Sequence, residues 1–72
     1  MKIEKFQTVR IKFDNGYYCD ITPRAEEEGC YDFWLHNLAK DIAEFMFACN
    51  CVDEDEAISL ATSNAPSYME EI

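Results

Sequence analysis

Glycine and proline are scarce in this chain, with two of each in 72 residues. A glycine-rich phosphate loop is therefore excluded, because one of the two glycines is already needed for a turn. Histidine is scarcer still: His36 stands alone, and no serine or cysteine lies at a spacing that marks a nucleophile elbow or a Cys–His pair. No enzymatic activity is expected on that ground. Long apolar runs are absent, none approaching the roughly 18 residues that span a bilayer. The opening residues lead into an alternating pattern rather than the apolar core of an export signal, so a cytoplasmic protein without a membrane partner is expected.

Positive charge is the other shortage, with 6 Lys and Arg against 15 Asp and Glu and a formal net charge of -9. The imbalance is uneven. Residues 1–12 carry +3, whereas residues 13–72 carry -12 and hold only Arg24 and Lys40 as cations. A field of that sign repels phosphates and anionic headgroups, which disfavours direct nucleic-acid binding and favours a protein partner with a basic surface. The apolar share of 49% is too high for a disordered chain. One small domain over residues 1–72 is expected, hiding only roughly 60% of the surface its unfolded chain exposes.

Cysteine is present four times, as Cys19, Cys30, Cys49 and Cys51. In a cytoplasmic chain these are reduced thiols. Cys49-Asn50-Cys51 with Cys19 and Cys30 offers four sulfurs for zinc, but the spacing is not that of the common knuckles. No metal or other cofactor is expected.

The first 22 residues read as a β-hairpin over about residues 5–22. Val9, Ile11 and Phe13 alternate with polar residues, and after Asp14-Asn15-Gly16 the alternation resumes with Tyr17, Cys19 and Ile21. A three-residue loop pairs Val9 with Ile21, Ile11 with Cys19 and Arg10 with Asp20, keeping the two faces clean and placing Gly16 in the left-handed region. Residues 23–29 read as a connection with a helical turn, since Thr22, Pro23 and Glu26–Glu28 suit a helix start and Gly29 suits its end.

Residues 30–49 read as one long amphipathic helix. At 100° per residue, Tyr31, Trp34, Leu35, Leu38, Ile42, Phe45 and Met46 fall on one apolar arc able to cover the hairpin. Phe33 and Phe47 fall outside that arc. A shorter helix over about 54–63 begins at Asp53 with Glu56 three positions on, and Asn64 with Pro66 closes it before a C-terminal turn at 67–72. The expected fold is thus α+β: an N-terminal antiparallel hairpin packed on one long helix, then a second, shorter helix.

Two sets of residues are candidates for partner contact. The acidic runs Glu26, Glu27, Glu28 and Asp53, Glu54, Asp55, Glu56 suit a basic groove, where carboxylates stand in for phosphates. Phe33 and Phe47, if uncovered, supply an aromatic row on the helix. The expected function is a small acidic protein-binding module, in its most concrete version an inhibitor that occupies the basic surface of a nucleic-acid-handling enzyme, as mobile elements use against restriction or RNA-guided defence. The alternative is a homodimeric structural or regulatory accessory protein associating through the aromatic side of its main helix or along a strand edge.

Overall fold

The computed structural model describes residues 8–72; the part of the expected hairpin at residues 5–7 lies outside them. Four strands, β1 (Val9–Lys12), β2 (Tyr17–Pro23), β3 (Cys30–Asn37) and β4 (Ile42–Asn50), form one antiparallel sheet in chain order, followed by a single helix, α1 (Glu54–Met69).

The first hairpin has the register read from the sequence: Val9 faces Ile21, Arg10 faces Asp20 and Ile11 faces Cys19. Gly16 sits at φ 85°, and the Phe13 N–H donates to the Tyr17 carbonyl at 2.9 Å to close the loop. Residues 23–29 contain no helix. Their turn is fixed by the Arg24 N–H on the Cys30 carbonyl at 2.9 Å and the Cys30 N–H on the Glu27 carbonyl at 3.2 Å.

The long helix over 30–49 does not exist; that stretch is the hairpin β3–β4. Tyr31, Phe33 and Leu35 repeat at every second residue, are buried on one face, and alternate with Asp32, Trp34 and His36 on the other. Aromatic side chains favour the pleated strand, where they pack across rungs, over a helix, where they lose rotamer freedom. The strands join through Leu38–Asp41. There the Lys40 N–H donates to Asn37 Oδ1 at 3.3 Å, and Asp41 adopts φ 55°, a left-handed conformation that Asp tolerates better than most residues. Phe33 pairs with Phe47 but Trp34 pairs with Phe45, so Met46 is an extra residue in a β-bulge. The bulge breaks the period of two along β4, which is why that strand imitates a helical repeat.

The helix α1 is the one helix among the described residues, and it runs longer than the expected 54–63. Asp53 caps it as expected, its carboxylate accepting from the Glu56 N–H at 2.9 Å. Pro66 does not end it: residues 67–69 of the expected C-terminal turn are its last turn, and residues 70–72 follow it. Pro66 lies on the exposed side of the helix, where its ring costs one intrahelical hydrogen bond without intruding on the core. Ala57, Ala61 and Ala65, four residues apart and fully buried, form the contact stripe. Their small size lets the backbone of α1 approach the bulky inner face of Ile21, Tyr31, Phe33 and Leu35. At the far end a polar clasp fastens the helix: Asn37 Nδ2 donates to the Ile72 main-chain oxygen at 2.9 Å and to the Tyr17 hydroxyl at 3.2 Å.

Candidate functional site

The helix covers one face of the sheet, and the strand periods decide which side chains remain on the other. Across that outer face the rungs run Lys12–Tyr18–His36–Ala43 and Arg10–Asp20–Trp34–Phe45. Arg10 makes a two-point ion pair with Asp20, at 2.8 and 3.0 Å, and its guanidinium lies 4.3 Å from the Tyr18 ring centre. Asp20 also raises the Arg10 pKa above its ordinary value, chiefly through that hydrogen bond. Tyr18 stacks on His36 with centroids 4.4 Å apart and planes 7° from parallel, and His36 Nε2 lies 3.5 Å from Asp20 Oδ2. Trp34 meets Phe45 edge to face at 5.3 Å, and the two remain 38% and 40% exposed. A cleft of about 70 Å³ beside the stack, bordered by Tyr18, His36 and Ile42, is far below the roughly 300 Å³ at which small-molecule pockets begin.

The sequence reading missed this outer cluster. Arg10 opposite Asp20 followed from the first hairpin, but Trp34, His36 and Phe45 gained their places only with the pairing of β2, β3 and β4. The signal available was the alternation of Tyr31, Phe33 and Leu35 with Asp32, Trp34 and His36.

The acidic candidates lie elsewhere, at the end of the sheet where β2 turns into β3 and β4 passes into α1. The two segments are tied there by the Cys51 N–H on the Gly29 carbonyl at 3.0 Å. Glu26, Glu27 and Glu28 are exposed in the loop, and Asp53, Glu54, Asp55 and Glu56 are exposed at the start of the helix. Their fields meet in the thiols between them. Burial, with Glu27 adding to it, raises the Cys30 pKa, and burial, with Cys49 and Glu56 adding to it, pushes Cys51 up to about 11. Glu27 is paired with Arg24 at 3.5 Å, and Arg24 with Asp32 at 3.0 Å. Among the described residues no cation pairs with the other six carboxylates of the two runs.

Phe33 and Phe47 are not brought to this end, nor do they form an exposed row. Phe33 is fully buried between sheet and helix, and Phe47 stacks on it at 4.5 Å and meets Tyr68 of α1 at 6.4 Å. Their place outside the helical arc was the mark of a strand interior. The aromatic helix side on which the alternative, homodimeric reading relied is therefore not a surface of this protein.

The four cysteines are free thiols. Burial pushes Cys19 up to about 11, and its Sγ lies 4.0 Å from the Met46 sulfur, so it serves as a small apolar core residue. Among the described residues no three His, Cys, Asp or Glu side chains stand together as a metal site, and no helix is long and apolar enough to cross a membrane.

The fold and surface define a small α+β domain, a four-stranded meander with one face under a helix and one face open. No protein-family model matches the chain, and neither a curated protein nor a solved structure matches it.

Proposed function

We propose that this protein is a non-enzymatic binding module whose acidic end docks on a basic surface of another protein, in the most concrete version the nucleic-acid channel of a nucleic-acid-handling enzyme. The single supporting observation is that two acidic runs separated by 24 residues in sequence, one ending at Glu28 and the other beginning at Asp53, converge at one end of the fold. Helix α1 adds to the pattern, because each acid of its first turn sits near the positive end of the helix dipole, which favours negative charge there. A convergent set of carboxylates steers a cationic partner from a distance and competes with phosphates for the same site, so a bound enzyme loses access to its nucleic acid.

The test is capture of partners from lysate on the immobilised protein at 50 and 300 mM salt, with duplex DNA as competing eluant. Captured proteins that are nucleic-acid binders, released by DNA and lost at the higher salt, are expected. The variant Glu26→Gln/Glu28→Gln/Glu54→Gln/Asp55→Asn keeps the cap at Asp53 and should lose capture without unfolding. Capture that is indifferent to salt and to this variant would refute the proposal.

A further inference from the structure

The five exposed large apolar side chains among the described residues are Trp34, Leu38, Ile42, Phe45 and Val52. All lie along one border of the molecule: Ile42 and Phe45 on β4, Leu38 in the turn before it, Val52 just beyond its end, and Trp34 on the neighbouring strand directly opposite Phe45. Strand β4 is the open edge of the sheet, opposite β1. Natural edges of this length are blunted with lysine, proline or several charges, yet Ile42–Asn50 holds no lysine, no proline and one acid, Glu44. In a chain of net charge -9, this is a long border almost free of charge.

We infer that β4 pairs antiparallel with β4 of a second copy, joining two sheets into one of eight strands across a two-fold axis. The bulge dictates the register. Ala43, Phe45 and Ala48 occupy the outer face, while Glu44, Met46, Phe47 and Cys49 lie on the helix side, with two consecutive inward residues at Met46 and Phe47. Opposed strands must match face to face. Among antiparallel self-pairings that engage more than five residues of β4, only the one in which partner numbers sum to 93 does so throughout. It sets Met46 against Phe47, Phe45 against Ala48 and Glu44 against Cys49, with the axis between residues 46 and 47. In that register a large outer side chain meets a small one twice.

Charge and apolar surface agree with the same occupant. Continuing the register beyond the strands brings the turn with Leu38 and Lys40 beside Val52 and Asp53 of the partner copy. Lys40, which has no ion pair among the described residues, then approaches the other copy's acidic run. Leu38 and Ile42 approach its Val52. Because the association is isologous, it closes at two copies and leaves no free β4 edge. This inference stands independently of the acidic-end proposal, and the two are separable because one concerns self-association and the other capture of a different protein.

The experiment is light scattering on the purified full chain over about 5–500 µM, with circular dichroism as the fold control. A mass approaching about 17 kDa, twice the 8.4 kDa of one chain, is expected at the upper concentrations. Phe45→Lys/Ala48→Lys sets like charges directly opposite each other astride the axis and should return the mass to that of one chain with the fold retained. Lys40→Glu, far from the sheet interior, should weaken association about tenfold, since the two-fold axis repeats the lost pair. A single-chain mass for the parent at every concentration would overturn the inference. So would a dimer that survives Phe45→Lys/Ala48→Lys, because it must then use another surface.

Discussion

Phe33 and its neighbour Trp34 give the sharpest test of the architecture, because a helix and a strand exchange their roles. In a helix over 30–49, Trp34 sits on the buried arc and Phe33 faces outward. In the sheet Phe33 is fully buried and stacked on Phe47 at 4.5 Å, while Trp34 is 38% exposed and touches Phe45 by an edge. Truncating a buried Phe to Ala removes its transfer free energy and leaves a cavity, together about 3–5 kcal/mol. Trp34→Ala loses partial burial and one aromatic edge contact, about 1–2 kcal/mol in all. A domain of this size holds a total of about 4–10 kcal/mol, so Phe33→Ala consumes much or all of it. Urea denaturation followed by circular dichroism reads the difference directly. With a slope of about 1 kcal/mol per molar, the midpoint of Phe33→Ala should lie about 1–4 M below that of Trp34→Ala, or the transition should vanish. The reverse order, with Trp34→Ala the more damaging, would refute the sheet and restore the helix.

Two further outcomes follow from local geometry and from the thiols. Gly16→Val forces a β-branched residue to φ 85°, and although nothing crowds the added Cβ, strain alone should cost about 1–2 kcal/mol; Gly16→Asn should cost less, and equal melting temperatures for both would contradict the turn. Stability should fall as pH rises from about 9 toward 11. Cys19 and Cys51 both reach about 11 in the folded chain, so between the ordinary thiol value of 9.0 and that point the folded state binds more protons than the unfolded one. The full two-unit gap at Cys19 is worth about 2–3 kcal/mol. Cys19→Ala should flatten that slope relative to the parent in denaturant titrations at pH 8 and pH 10, and an unchanged slope would remove burial of Cys19 as its cause.

What could be read from the sequence was what short-range rules decide. Gly16 fixed the first hairpin and the pairing of Arg10 with Asp20, and Asp53 with Glu56 marked the start of α1. The stretch 30–49 was misread because the bulge at Met46 and the turn Leu38–Asp41 together shift the apolar positions into a spacing close to 3.6. Phe33 and Phe47, the two residues that did not fit the helical arc, were the readable sign of the error. Pro66 misled for a different reason: its position on the exposed side of the helix depends on where Ala65 packs, which is a tertiary fact. The acidic runs were visible as runs, but their meeting at one end required the order of strands. The outer cluster of Tyr18, His36, Trp34 and Phe45 required it too.

The strand order has a kinetic consequence. Each strand is hydrogen-bonded to the one that precedes it in the chain, so no pairing has to wait for distant segments to find each other. A loop of three or four residues closes in well under a microsecond and a hairpin zips in about 1–10 µs. The sheet can therefore assemble by successive additions outward from Gly16 and Asp41, with the alanine stripe settling last onto a surface already formed. Such a chain should fold faster than other β-rich domains of its size, whose ladders join residues remote in sequence.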